Sequence, residues 1–367
     1  MAKNSKQKIV LDYLLTYIDQ NKFTSNTKLP SEIFLTKRLS VCRETVRRAI
    51  KALEDKGLVY AIHGGGTYFD KQMALSLSSI DSSADYRIAI IIQGKDRGAN
   101  STLISSVKDY FKDEKVDIRI FYTDNKLSNE RRCLLSCRQG FDGIIIDGVK
   151  ASMANPNLDI YTSIYQKNVP FIFYNNYYSE TSYPKILNDD EAAAEDLISA
   201  LCMKGHQNIA GLFLYDNYQG VKKYLGYAKS IFKHGCTFDD DYVRFFLTRD
   251  LEGEERLEKL IWSFLKSVPK CTAVCCCNVM LYEALKETLG KHNLEIGKDI
   301  SVVCFDYSFE DYDKEGITCT ISQSHEMGRV VAERLMSMIK DPDYKKKEYS
   351  AMIPCRFHEG SSIADIR

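Results

Sequence analysis

From residue 9 the apolar positions follow a helical rhythm: Ile9, Val10, Tyr13, Leu14, Tyr17 and Ile18 recur at i, i+1, i+4, i+5, i+8 and i+9 and stripe one side of a helix. A polar stretch, residues 21–28, breaks the pattern. Ser31 follows Pro30 and is placed to cap a second, short helix ending near Leu39, with Glu32 in the first turn where a carboxylate complements the helix dipole. Residues 40–42 make a turn, and a third helix is expected from Arg43 to about Lys56, closed by Gly57. Leu58, Val59, Tyr60 and Ile62 then alternate into His63-Gly64-Gly65-Gly66, and Thr67, Tyr68 and Phe69 lead out again, the pattern of a hairpin about a glycine turn. Three helices and a hairpin in this order predict a winged helix-turn-helix.

Residues 70–86 carry Ser76, Ser78, Ser79, Ser82 and Ser83 with little periodicity and read as a linker. Beyond them, strand-length apolar runs at 87–92, 143–147, 169–174, 209–214, 272–277 and 300–305 alternate with helical stretches such as 101–112, 192–203, 281–289 and 327–338. Runs this apolar without alternation are buried on both faces, which predicts an α/β body of parallel sheets, large enough for two lobes. The expected organisation is a winged-helix head at 1–70, a linker at 71–86 and a two-lobed body at 87–367. No run approaches the 18 or more apolar residues of a membrane span, and residues 1–7 carry no apolar secretory core, so the expected location is the cytoplasm.

The 367 residues carry 50 basic and 50 acidic side chains, but they are unevenly shared. Residues 1–70 hold twelve Lys and Arg against seven Asp and Glu, and the remainder is acidic by the same margin. A basic head on an acidic body suggests different partners, phosphate being one that rewards clustered cations. On the third helix Val46, Ala49, Ile50 and Leu53 form the apolar face, while Arg43, Glu44, Arg47, Arg48 and Lys51 occupy the opposite arc. Such an arc can enter a major groove, with Arg paired to guanine and Thr45 to phosphate or a thymine methyl; a glycine wing lets backbone approach DNA.

In the body, Asp147, Asn175-Asn176, Asn278 and Asp306 each follow an apolar run. Ligands of such folds sit at the carboxyl ends of strands, and carboxylates and amides there suit a polyhydroxylated molecule. Each residue equally suits the capping of a helix or turn. The twelve cysteines read as buried free thiols: Cys271, Cys275, Cys276, Cys277 and Cys304 lie in or beside apolar runs, no C-x-x-C occurs, and the histidines are scattered, so no metal site or cofactor is expected. His63-Gly64-Gly65-Gly66 superficially matches esterase oxyanion glycines, yet no G-x-S-x-G elbow and no phosphate-cradling G-x-x-x-x-G-K-[ST] loop occur, so an enzyme with catalytic residues is not expected.

Leu29-Pro30-Ser31-Glu32, Leu35, Leu39, Val41, Arg43, Thr45-Val46-Arg47, Leu53, Gly57-Leu58-Val59 and Gly64-Gly65-Gly66-Thr67 resemble the GntR-type winged-helix domain over most of residues 5–70. The resemblance implies DNA contacts from Glu32, Arg43, Thr45, Arg47 and Gly66; Ile33 stands where arginine is often found. Residues 87–367 resemble the LacI-type effector domain, periplasmic-binding-protein-like, through Phe141-Asp142-Gly143-Ile144-Ile145, Asp189-Asp190, Lys204-Gly205-His206, Gly226-Tyr227, Thr272-Ala273-Val274, Ser301-Val302-Val303 and Met327-Gly328. By family position Asn175, Lys223, Asn278, Asp306 and Gln323 are implied to line the effector site. Val279 replaces the usual acidic residue, and Lys223 replaces a commoner arginine with its planar fork. The combination is similar to the arabinose-repressor family of Gram-positive bacteria. It implies a homodimer on a roughly palindromic double-stranded operator, released by a monosaccharide such as L-arabinose. Another sugar, a nucleoside or an activating role stays open.

Overall fold

The computed structural model describes residues 6–21, 27–55, 58–62, 65–70, 83–94, 99–138, 140–307 and 316–367. Gly57, the wing residues His63 and Gly64, and residues 71–82 of the expected linker lie outside them.

The head contains α1 (Lys6–Asn21), β1 (Thr27–Lys28), α2 (Glu32–Leu39), α3 (Arg43–Glu54), β2 (Val59–Ile62) and β3 (Gly66–Phe69). The Ser31 hydroxyl accepts from the Phe34 N–H at 3.2 Å, the cap anticipated for α2, and Ser40 at φ +49° ends that helix. Helix α3 stops at Glu54 with Asp55 as its C-cap, two residues short of the expected Lys56. Strand β1 lies in the stretch that reads as a polar connector; pairing antiparallel with β3, it completes a sheet of order β1-β3-β2. Val10 and Leu14 of α1, Leu35 of α2, and Val46, Ala49 and Leu53 of α3 close into one core. Each buried valine and leucine contributes about 1.5–3 kcal/mol by leaving water, enough to fix the orientation of α3.

The body strands are β4 (Tyr86–Ile92), β5 (Val116–Tyr122), β6 (Gly143–Ile146), β7 (Phe171–Tyr174), β8 (Lys185–Asn188), β9 (Ile209–Leu214), β10 (Val243–Phe246), β11 (Ala273–Cys276), β12 (Ser301–Cys304), β13 (Thr318–Ile321), β14 (Ala351–Ile353) and β15 (Arg356–His358). They form two six-stranded sheets, of orders β14-β8-β7-β6-β4-β5 and β10-β9-β11-β12-β13-β15. Pairing is parallel for β4 with β5, β7 with β8, β8 with β14, β9 with β10 and β11, and β12 with β11 and β13; β15 alone of the second sheet runs antiparallel. The helices are α4 (Ala99–Tyr110), α5 (Leu127–Cys137), α6 (Leu158–Gln166), α7 (Asp190–Met203), α8 (Tyr218–Lys233), α9 (Glu254–Ser267), α10 (Val279–Lys291) and α11 (Ser324–Lys340).

By compactness the chain divides into two units. One comprises Met1–Gln93, Asp113–Ile145 and Pro156–Phe171; in it the buried Glu130 of α5 accepts from the Tyr161 hydroxyl at 2.8 Å and the Asn157 amide at 2.7 Å. The other comprises Gly94–Lys112, Ile146–Asn155 and Ile172–Arg367 and is built on a core of β9, β11 and β12 with α7, α9 and α10. Helices α7 and α8 touch at Gly226, where a Cβ would lie 2.6 Å from Ala194 Cβ and 2.9 Å from Glu191 Cα. Only a residue without a side chain permits that approach, and it sets the spacing of the two helices that carry Asp190 and Lys223.

Candidate functional site

In the head, the buried face of α3 leaves Arg43 and Arg47 exposed on the other side. Their guanidiniums converge on one carboxylate: Glu32 at the start of α2 accepts from Arg43 Nε at 2.7 Å and from Arg47 Nε at 3.2 Å. The Arg43 hydrogen bond, with the charge of Arg47, holds the Glu32 carboxyl below its ordinary range. Glu32 therefore organises the two arginines. The Thr45 hydroxyl sits 3.1 Å from the thiol of Cys42, the exposed N-cap residue of α3. That contact lowers the Cys42 pKa. Gly66 is exposed at φ +110°, a conformation L side chains rarely adopt, so the wing turn requires glycine there.

In the body, Asn217 caps α8 by accepting from the Gly220 N–H at 2.6 Å. A Cβ at Gly220 would lie 2.1 Å from the Leu214 carbonyl, so glycine lets the helix start directly against β9. One turn on, Lys223 is 2% exposed; its Nζ donates to Asp306 Oδ2 and, at 3.2 Å, to the Cys277 carbonyl. Asp306 follows β12 at φ +54°, and its Oδ1 is buried without a hydrogen-bond partner among the described residues. Burial opposes the charge on Lys223, but the attraction of Asp306 outweighs it and leaves the Lys223 pKa above its ordinary value.

Asp190, at the start of α7, is almost wholly buried near that pair, with its Oδ1 also unpartnered among the described residues. Burial pushes its carboxyl up to about 8 even against the attraction of Lys223. It also lines a cavity of about 600 Å³ with Asn188, Tyr218, Lys222, Ser350 and Met352. None of the five residues expected at the effector site lines that cavity.

Those five are placed as follows. Lys223 and Asp306 meet directly. Asn278 caps α10, its Oδ1 accepting from the Leu281 N–H at 2.9 Å, which fixes the orientation of its amide. Gln323 precedes α11 and donates to the Ile321 carbonyl at 3.3 Å. Asn175 follows β7 at φ +55°, half-buried. Its neighbour Asn176, read from sequence at the same strand end but not among the five, is the better connected: it donates to Asp147 at 2.8 Å and accepts from the Tyr218 N–H at 3.0 Å. No group of His, Cys, Asp and Glu among the described residues could hold a metal, and no helix among them is long and apolar enough to cross a membrane.

A winged head with an arginine-bearing third helix, joined to parallel-sheet lobes with polar residues at strand ends, defines a one-chain, ligand-responsive DNA-binding regulator. Residues 105–360 match the periplasmic binding proteins and sugar binding domain of LacI family, and residues 6–69 match the bacterial regulatory proteins of the gntR family. The chain belongs to the LacI-type sugar-binding family and bears a gntR-type head; it is a transcriptional regulator and not an enzyme. It is 28% identical to the arabinose metabolism transcriptional repressor of Halalkalibacterium halodurans over 88% of this chain and 86% of that one. Against the repressor of the same name from Geobacillus stearothermophilus it is 28% identical over 91% of each. In fold it is similar to the transcriptional regulator CelR in complex with cellobiose, with a TM-score of 0.66 at 16% identity over 87% of this chain and 90% of that one. The regulator CcpA of Lactococcus lactis gives 0.65 at 16% identity over 76% and 99%.

Proposed function

We propose that this regulator is a repressor of sugar-utilisation genes, that it works as a homodimer, and that L-arabinose or a closely similar monosaccharide releases it from a dyad-symmetric operator. The head at 1–70 reads DNA, with Arg43, Thr45 and Arg47 facing the duplex, Glu32 positioning the arginines and Gly66 shaping the wing. The body at 87–367, joined through 71–86, takes the sugar among Asn175, Lys223, Asn278, Asp306 and Gln323. The observation that carries the reading of the body is the buried Lys223–Asp306 pair, whose second carboxylate oxygen has no protein partner among the described residues and is suited to accept a sugar hydroxyl. The names of the two repressors matched along nearly the whole chain support the choice of sugar.

The test has two arms. Thermal shift against L-arabinose, other monosaccharides and nucleosides should show a raised melting temperature with L-arabinose, since a ligand at 100 times its Kd stabilises by about 2.7 kcal/mol. Duplexes selected from random DNA should be dyad-symmetric, bind in a salt-dependent way, and be released by the same sugar. Asp306→Ala should bind the selected DNA but ignore the sugar. A protein with no salt-sensitive preference for any dyad-symmetric duplex, with or without sugar, would end this reading.

A further inference from the structure

Cys202 and Cys236 are far apart in the sequence, but the fold brings them together. Cys202 in the last turn of α7 and Cys236 just beyond α8 are 34 positions apart in the chain, and their Sγ atoms lie 3.0 Å from one another. A disulfide bond is about 2.05 Å long, so roughly 1 Å of sulfur movement would join them. Both backbones are pinned near this geometry. The Cys202 carbonyl accepts from the Gly205 N–H at 3.0 Å. The Cys236 N–H donates to the Ile231 carbonyl at 3.0 Å, immediately after Gly235 turns the chain at φ +67°. Cys202 is partly exposed and Cys236 is buried, so an oxidant can reach the first and the second lies poised behind it.

We propose that Cys202 and Cys236 form an oxidation site, which hydrogen peroxide converts into an intramolecular disulfide stapling the end of α7 to the end of α8. The Cys202 thiolate attacks one peroxide oxygen; an S–O bond forms, the O–O bond breaks, and the departing hydroxide takes up the proton that the thiol released. The Cys236 sulfur then attacks the sulfenic sulfur; the S–S bond forms, the S–O bond breaks, and hydroxide leaves with the Cys236 proton as water. One peroxide is reduced to two waters while two thiols are oxidised, and a dithiol reductant reverses the change. The staple would lie at the far ends of the two helices whose N-terminal halves hold Asp190 and Lys223. The reaction is slow, because burial and the Cys236 contact hold the Cys202 thiol up at about 12 and both sulfurs sit at helix C-terminal ends. Cys42, exposed and with a lowered pKa, reacts first and reports that oxidant has acted.

Trypsin isolates the pair cleanly: residues 186–204 contain Cys202 as their one cysteine, and residues 234–244 contain Cys236 as theirs. The full chain is treated with hydrogen peroxide under native conditions, its remaining thiols are alkylated in denaturant, and the digest is mapped by mass spectrometry. The expected product joins these two peptides, lighter by two hydrogens than their sum, and disappears on reduction. Cys236→Ser should instead leave a sulfenic acid at Cys202 that dimedone captures. Recovery of both peptides as alkylated thiols after Cys42 has been oxidised overturns the proposal. So does Cys202 joined to any other cysteine, or overoxidised in the wild-type chain.

Discussion

Replacing Lys223 by Met removes one charge from the interior of the body while keeping most of the side chain's bulk. In the native chain Lys223 is 2% exposed and bonds Asp306 and the Cys277 carbonyl. In the variant neither Asp306 carboxylate oxygen is bound to a lysine, and loss of the nearby cation pushes the buried Asp190 carboxyl further up. Deleting one member of a buried ion pair costs roughly 3–5 kcal/mol; the Asp306 side chain retains 20% exposure, which puts the expected loss near the lower figure, about 3 kcal/mol. Asp306→Asn should cost about as much, because it strands the lysine. The double variant strands neither, so a double-mutant cycle by urea denaturation should give a coupling of about 2–3 kcal/mol. A coupling under about 0.5 kcal/mol would mean that water screens the pair, and the argument that Lys223 and Asp306 form a dry, charge-balanced pair would fail.

Three regions remain to be probed: the head, the acid at α7 and the helix pair. Glu32→Gln should free Arg43 and Arg47 for indiscriminate phosphate binding, strengthening non-specific DNA affinity and steepening the salt dependence by about 0.9 in log–log slope for each additional phosphate neutralised; an unchanged slope rejects the clamp. Arg47→Ala should weaken binding to the selected duplex about fivefold or more, since a bidentate base contact is worth about 1–3 kcal/mol, and leave the sugar response intact; equal affinity at physiological salt removes α3 as the reading helix. Asp190 has its carboxyl at about 8 in the folded chain against an ordinary 3.8, so its contribution to stability is complete below about pH 4 and is lost as pH rises through 8. Asp190→Asn should flatten the fall in urea midpoint across that window, and parallel pH profiles for the two proteins would refute the assignment. Gly226→Ala should cost about 1–3 kcal/mol through its 2.6 Å approach to Ala194, and a neutral effect in the same denaturation assay would show that α7 and α8 can separate freely.

What can be read from the chain follows from where each element is buried. Strands β4, β6, β7, β9, β11 and β12 lie inside their sheets and stand out as apolar runs, whereas β8 and β13, also inside, are broken up by Lys185 and Asn188 and by Thr318 and Thr320 and do not. Strands β5, β10, β14 and β15 lie at sheet edges, where solvent admits charge; β5 even carries Asp117 and Arg119 bonded to each other at 2.8 Å, which hides it from a search for apolar runs. Strand β1, two residues long, has too little sequence to announce itself. The cap at Ser31 and the apolar face of α3 are local properties and are legible. The convergence of Arg43 and Arg47 on Glu32, 11 and 15 residues away, is tertiary and is not. Asp190 shows the same limit. Asp189 already caps α7 by accepting from the Ala192 N–H at 3.0 Å, so a second acid beside it reads as a dipole partner in solvent, and only packing reveals that it is buried.

Both sites hold charge against charge, and this decides what kind of partner each favours. In the head, a phosphate must compete with Glu32 for two arginines, a penalty that falls fully on DNA offering phosphates alone. A duplex that supplies base edges as well would offset it, so on the proposed reading the clamp would lower non-specific binding more than specific binding. In the body, an anionic ligand would have to face Asp306, and a cationic one Lys223, each already satisfied by the other at short range. A neutral hydroxyl faces neither conflict: it can donate to Asp306 Oδ1 while the ion pair stays intact, and it leaves the buried, largely protonated Asp190 undisturbed. If the effector binds at this pair, as proposed, the arrangement would favour an uncharged polyhydroxylated molecule over its phosphorylated, oxidised or aminated derivatives, because only the first could bind without dismantling the ion pair.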